Sequence, residues 1–231
     1  TLKELGYNSK NNHQEIVERL ENKDIGWAYA DQSIFNPKLH NLMSLRKQII
    51  KRPVITTVEV LVKPVSSKND MFFTGFVHKP YPPIYLELSR NAQFNSATVI
   101  RGTEGGIIPS LRQTGKVHFY HSADKQDDYY DVIPENLGIV QTSRAVDIPE
   151  EITRKNTKDK IESKVDAAEI ARETIKSGID ALSGNDGPML SCIQLGAAII
   201  LQRATGNDLS ECSKEVLQVL KSGAALKRMK R

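Results

Sequence analysis

Hydrophobic positions in the first part of the chain alternate between helical spacing and short β-like runs. In residues 12–22 apolar residues recur at the spacing of one helix face, which predicts a helix. Residues 25–30 read IGWAYA and predict a short buried strand. Asn36 has the form of a helix N-cap and Pro37 suits the first helical position, so a second helix is predicted from there to the Arg-Pro pair at 52–53.

The middle of the chain has the pattern of a parallel sheet. Residues 54–62 read VITTVEVLV and, being mostly β-branched, are predicted to be extended. A strand, a helix and a strand then follow, which is the unit of a parallel sheet. These three elements are predicted at residues 71–77, 83–93 and 97–101. Two alternating segments, 116–121 and 128–133, predict antiparallel strands added at one side of the sheet.

The last third is predicted to be helical after a charged surface connection. The connection covers residues 147–163, and the C-terminal helices cover 164–231. The helices are predicted at residues 164–182, 188–203 and 209–227. The helix at 188–203 is apolar nearly all round, which indicates a central buried helix. The predicted fold class is α/β, with helices covering a mostly parallel central sheet in one domain over residues 1–231.

Composition narrows the class of protein without choosing a function. The chain has 231 residues, 39% hydrophobic and 26% charged, with a formal charge of +4 that permits anionic partners. Its longest apolar stretch, residues 195–201, is far shorter than the roughly 20 residues that span a bilayer, and no secretory leader is visible, so we expect a cytoplasmic protein without a membrane partner. Cys192 and Cys212 lack metal-site spacing and are predicted to be buried free thiols.

The segment RGTEGGIIPS, residues 101–110, is the first candidate site because it follows a predicted strand. Ligands of open α/β sheets bind outside the carboxyl ends of the strands. Gly102 and the two later glycines would let the backbone approach a ligand, whereas a tight turn is the alternative. Glu104 is the one acid in this segment, since Ile107 and Ile108 offer no oxygen to a magnesium ion.

The helix NPKLHNLMSLRKQIIKRP is the second candidate because it is rich in cations. Its arginine at position 46 could hold a carboxylate or phosphate. The remaining basic residues could follow a nucleic-acid backbone, together with the C-terminal KRMKR, or form a solvated face. These residues are Lys38, Lys47, Lys51 and Arg52. No P-loop, nucleophile elbow, HExxH or GxGxxG motif is present.

Several segments of the chain form an ordered series: LKELGYN, IGWAYA, NPKLHNLMSLR, GFVHKPY, RGTEGGIIPS, YDVIPENLGI and GNDGPMLSCIQLGAAIILQRATG. Read in this order, they resemble the anthranilate phosphoribosyltransferase family of glycosyltransferase family 3. The resemblance implies the nucleoside phosphorylase-like class of phosphoribosyltransferase folds. It also implies that the chain, which starts TLKELGYN without a methionine, is the C-terminal portion of a longer protein whose N-terminal helical domain is truncated. A full-length protein of this kind is expected to be a homodimer.

The resemblance further implies a reaction and its residues. The family transfers a phosphoribosyl group from phosphoribosyl pyrophosphate to an amine, using Mg²⁺. Arg46 falls on the arginine that meets the acceptor's carboxylate, and Asn36 stands where the family has a histidine. Gly102 and Glu104 belong to the loop expected near the substrates. No catalytic residue and no metal ligand is assigned in this chain.

Departures from the family pattern change the expected activity. The acidic pair that holds magnesium in the family falls on Ile107 and Ile108. The form RGTEG suits a divergent branch of anthranilate phosphoribosyltransferase-like proteins, some of which bind nucleic acid. We therefore expect a protein outside tryptophan biosynthesis, with Mg²⁺ needed only if transfer survives. The alternative is a non-catalytic protein that binds DNA or RNA, and whether Glu104 replaces the lost acids stays open.

Overall fold

The structure is a computed structural model that describes residue 5 and residues 7–49, 54–147 and 167–231. These residues form two compact units. The sheet unit takes its residues from Asn8–Pro109 and Thr114–Val132, with Arg231. The helical unit takes its residues from Thr1–Tyr7, Ser110–Gln113 and Ile133–Lys230. The single domain expected over residues 1–231 stays a prediction.

A four-stranded sheet in the order β1-β2-β3-β4 organises the sheet unit. Its strands are β1 (Met71–Phe76), β2 (Ser96–Arg101), β3 (Gly115–Tyr120) and β4 (Asp128–Val132). β1 and β2 are parallel, while β3 and β4 are antiparallel additions at one side of β2. The α/β class and the two antiparallel additions are confirmed, and the described sheet is mixed, with one parallel pair.

The core of the sheet unit lies between one sheet face and the helix that joins β1 to β2. That helix, Tyr81–Asn91, contributes Tyr85 and Leu86, which pack with Phe72, Val99 and other buried residues. Tyr120 is fully buried there, and its hydroxyl donates to the Phe94 carbonyl at 3.1 Å. Since a buried hydroxyl is costly without a partner, this bond lets a tyrosine fill the core.

Short helices precede the sheet along the chain. They are α1 (His13–Glu21), α2 (Gln32–Phe35), α3 (Pro37–His40), α4 (Met43–Gln48) and α5 (Ile55–Val58), and we number Tyr81–Asn91 as α6. The predicted N-cap is confirmed, because the Asn36 side chain accepts from the Leu39 N–H at 3.1 Å. The continuous helix predicted after Asn36 is interrupted by a turn at residues 41–42 that separates α3 from α4.

Two predicted strands are wrong. Residues 54–62 form α5 and a 3₁₀ turn, Glu59–Leu61, since the chain there buries Thr56, Thr57 and Leu61 rather than alternate side chains. Burial outweighs the weak preference of β-branched residues for strands. Residues 25–30 form a turn and irregular chain, where Gly26 has a φ of 66°.

The Asp70 cluster joins the starting ends of β1 and β2. The Asp70 carboxylate accepts from Lys63 Nζ at 2.8 Å, and Lys63 also donates to the Gln93 carbonyl at 2.8 Å. Asp70 and Asn95 are linked in both directions, since the Asp70 N–H donates to Asn95 Oδ1 at 2.8 Å and the Asn95 N–H donates to the Asp70 carbonyl at 2.9 Å. The hydrogen bond from Lys63 lowers the pKa of Asp70.

The helical unit consists mainly of helices from the last third of the chain. They are α7 (Ala167–Leu182), α8 (Pro188–Thr205), α9 (Leu209–Lys221) and α10 (Ala224–Met229). The predicted central helix is confirmed, because α8 buries Leu190, Leu195, Ile199 and five further residues. The predicted last helix is divided at Gly223, whose φ of 69° ends α9. Residues 148–163 of the predicted surface connection lie outside the described residues.

Within the described residues, no helix combines the length and apolar character needed to cross a bilayer.

Candidate functional site

The loop from Arg101 to Pro109 begins at the carboxyl ends of β1 and β2, where the sequence predicts a site. It opens with a 3₁₀ turn, Thr103–Gly105. The Thr103 N–H donates to the Ile108 carbonyl at 2.9 Å, and the Gly106 N–H donates to the Thr103 carbonyl at 3.0 Å. The loop is therefore closed on itself by backbone hydrogen bonds.

Close packing requires glycine at two positions, one on β1 and one in the loop itself. A Cβ atom at Gly75 on β1 would meet the carbonyl groups of Gly105 and Gly106, and one at Gly102 would meet the Gly106 carbonyl. The backbone approach predicted for these glycines is present, but its partner is the loop's own carbonyl group. This packing favours the tight-turn interpretation of the glycines, and it fixes the loop against the sheet.

Two neighbouring side chains of the loop offer no ligand to a metal ion. Ile107 is 37% exposed and Ile108 is half-buried, and neither hydrocarbon side chain supplies an oxygen. Within the described residues, no group of three or more His, Cys, Asp or Glu could hold a metal. Ile107 and Ile108 therefore supply no ligand to a Mg²⁺ ion, which prefers carboxylate and phosphate oxygens.

A row of aromatic side chains lies on one face of the sheet. Phe76, on β1, meets His118, on β3, with ring centroids 5.6 Å apart. His118 in turn lies 5.6 Å from Tyr129, on β4, and Lys116 Nζ lies 4.0 Å from the centroid of that ring. Burial lowers the pKa of His118, and Lys116 lowers it further. We call these three rings, together with Lys116, the aromatic row. Its members come from three strands that are separate in the sequence, so the sequence alone did not place them together.

The predicted acceptor arginine is held by a carboxylate of the same chain. Arg46 Nη1, on α4, donates to Glu59 Oε1 at 2.6 Å and to Glu59 Oε2 at 2.8 Å. The Arg46 side chain is 34% exposed and that of Glu59 is 19% exposed. Sequence reasoning missed Glu59, because it placed residues 54–62 in a strand rather than in the turn that faces α4.

The other predicted site residues are spread over separate elements. Gly102 and Glu104 belong to the loop after β2, and Asn36 caps α3. Lys38, on α3, is exposed, and Lys47 lies in α4. Lys51 and Arg52 lie outside the described residues.

Both cysteines are buried free thiols, as the sequence predicts. Burial raises the pKa of Cys192 above that of an ordinary thiol. Since the thiolate is the reactive form, this environment does not suit a nucleophile.

Known proteins resemble this chain in sequence and in fold. A protein of Aquifex aeolicus described as uncharacterized is 35% identical over 95 residues, which are 41% of this chain and 30% of that protein. The anthranilate phosphoribosyltransferase of the same organism is 22% identical over 205 residues, covering 88% of this chain and 54% of that enzyme. No family model matches the chain.

The solved structures decide the fold. The Saccharomyces cerevisiae anthranilate phosphoribosyltransferase in complex with PRPP and Mg superimposes over 99% of this chain, with a TM-score of 0.73 at 17% identity. This chain has the anthranilate phosphoribosyltransferase fold. It covers 59% of that yeast enzyme, and so spans little more than half the length of the anthranilate phosphoribosyltransferases it matches.

Proposed function

We propose that this chain belongs to an anthranilate phosphoribosyltransferase-like protein that transfers a phosphoribosyl group from phosphoribosyl pyrophosphate to an amine, outside tryptophan biosynthesis. The observation that supports this most is the likeness over 99% of the chain to a yeast enzyme solved with PRPP and Mg. The 22% sequence identity to a second anthranilate phosphoribosyltransferase, over 88% of this chain, adds independent support.

The proposed reaction breaks the bond between the ribose C1 and the diphosphate and forms a bond from C1 to the amine nitrogen. The donor would bind near the loop that contains Gly102 and Glu104, at the carboxyl ends of the parallel strands. Arg46 and Asn36 would lie near the acceptor. We assign none of these residues a catalytic role.

The leaving diphosphate requires neutralisation of its growing negative charge. Mg²⁺ supplies this in enzymes that hold it through carboxylates and substrate phosphates. Ile107 and Ile108 have no ligand atoms for a metal ion. By the resemblance, Ile107 and Ile108 stand where the family has its metal-binding acids, and for this reason we propose a role outside tryptophan biosynthesis.

Titration of the protein with phosphoribosyl pyrophosphate, with and without Mg²⁺, tests this function directly. We expect saturable binding that is measurable by calorimetry, and we expect the variant Arg46→Ala to bind the donor as tightly as the wild type. The donor is anionic, so inorganic sulfate at the same concentration serves as the control. An absence of donor binding in both conditions would overturn the proposal.

Nucleic-acid binding is the second candidate, and the exposed Tyr129 of the aromatic row favours it. Tyr129 is 58% exposed, and exposed aromatic rings beside cations stack on bases of single strands. Within the same unit, phosphate contacts would come from basic residues of the N-terminal part: Lys38, which is exposed, Lys47, Lys51 and Arg52. In this case affinity for an oligonucleotide should fall with salt, at a slope of about −0.7 per phosphate contact for a single strand.

Matched tyrosine variants make this second test specific. Tyr129→Ala should weaken oligonucleotide binding, measured by fluorescence anisotropy at several salt concentrations. Tyr29→Ala should not weaken it, although Tyr29 is 41% exposed and lies in the same unit. A flat salt dependence, or equal losses from the two variants, would contradict the nucleic-acid candidate.

A further inference from the structure

Both oxygens of Glu59 are bound to the guanidinium group that could otherwise receive an acidic ligand. They accept from Arg46 Nη1 at 2.6 Å and 2.8 Å. A charge-assisted contact to both carboxylate oxygens is the interaction that an arginine would offer to a carboxylate acceptor. The Glu59 carboxylate therefore makes the contact with Arg46 that the carboxylate of an acidic ligand would make.

Glu59 is held in place by the packing of its neighbours. Thr56, Thr57 and Leu61, in the same helical segment, are buried. The Glu59 N–H donates to the Ile55 carbonyl, which fixes the backbone at the start of the 3₁₀ turn. The side chain is 19% exposed, so the carboxylate is preorganised beside Arg46 and not freely solvated. Breaking the pair would leave a partly buried carboxylate without its cation.

A second carboxylate at Arg46 would meet an unfavourable environment. It would have to displace Glu59 or bind beside it, with two negative charges sharing one guanidinium group. Two carboxylates that contact the same guanidinium group repel each other, and a repulsive group built into a site is an established means of rejecting a ligand. An amine without an acid group meets no such repulsion.

We propose that Glu59 determines acceptor specificity at Arg46, by excluding carboxylate-bearing amines and selecting an amine acceptor that carries no acid group. This inference rests on the proposed function, because Arg46 is placed near the acceptor there. The acceptor is then an amine that carries no acid group, and 2-aminobenzoate does not take the phosphoribosyl group.

Two small probes, 2-aminobenzoate and aniline, test the proposal by calorimetry with and without phosphoribosyl pyrophosphate. They share the aromatic amine and differ by one carboxylate. In Glu59→Gln we expect the affinity for 2-aminobenzoate to rise at least about tenfold over the wild type, while the affinity for aniline stays unchanged. The double variant Arg46→Gln with Glu59→Gln should lose this gain, because the freed cation is then absent.

Several outcomes would overturn the inference. The inference is wrong if wild-type protein binds 2-aminobenzoate as tightly as Glu59→Gln does. It is also wrong if the double variant keeps the increased affinity for 2-aminobenzoate. Thermal melts show whether each variant is folded, and Glu59→Ala gives a second variant if Glu59→Gln is not. Donor binding is measured separately: its absence in every variant would refute the proposed function, whereas the probe comparison would still show whether Glu59 repels carboxylates.

Discussion

Replacing Gly102 with alanine is expected to lower the free energy of unfolding by about 3 kcal/mol, because inserting atoms into a packed site strains the backbone. The added methyl group would overlap the Gly106 carbonyl, which is backbone and cannot rotate away as a flexible side chain can. The chain contains one tryptophan, Trp27, and it belongs to the same unit as Gly102. Urea unfolding followed by tryptophan fluorescence should therefore show a lower midpoint.

Gly178→Ala is the matched control for this substitution. Gly178 lies inside α7, and a Cβ atom there would meet nothing within 4 Å. We expect a gain of about 1 kcal/mol, since alanine favours a helix interior more than glycine does. If Gly102→Ala unfolded at the wild-type urea midpoint, that result would contradict the close packing of the loop against Gly102 and Gly75. Gly75→Ala adds a further check, because its added methyl group would meet the same Gly106 carbonyl. The loss of unfolding free energy in the double variant should therefore differ from the sum of the two single losses.

Leu195→Ala is expected to destabilise the helical unit by about 3 kcal/mol, within the range measured for leucine truncations in cores. Leu195 lies on α8 and is 0% exposed. Removing its side chain leaves a cavity among close-packed neighbours, in addition to the loss of buried apolar surface. Far-UV circular dichroism in urea is the suitable measurement, since α7, α8, α9 and α10 give this unit most of its helical signal.

Leu20→Ala provides the corresponding control at the surface. Leu20 lies on α1 and is 42% exposed, so truncation should change the free energy of unfolding by less than about 1 kcal/mol. Equal losses from the two leucine variants would show that α8 is not the buried centre of its unit.

Long segments with a clear pattern were predictable from the sequence. β2 is buried at five of its six residues, and the apolar helix α8 buries eight residues, so pattern and packing agree. Residues 54–62 were not predictable in this way. Their β-branched side chains favour a strand locally. In the folded unit, however, the helical conformation buries Thr56, Thr57 and Leu61, and this depends on packing that the local sequence does not reveal.

The candidate site was less predictable than the fold. Glycines in the loop after β2 indicated a close backbone approach, but the sequence could not show that the Gly106 carbonyl is the partner of Gly75 and Gly102. Nothing in the spacing of Arg46 and Glu59, thirteen residues apart, predicts their contact, because it depends on how α4 and the following turn pack. At 17% to 22% identity, family roles also cannot be transferred by position alone.

The Asp70 cluster and the glycine packing specify the alignment of β1 and β2 at opposite ends of the pair. Strand alignments compete in steps of one residue, and each step turns every side chain of the strand to the other face. A shift here would separate Asp70 from Asn95 at one end and bring Thr74 or Phe76 against the Gly106 carbonyl at the other. Misaligned pairings are thus penalised twice, once by the loss of hydrogen bonds and once by steric overlap, and a single alignment remains.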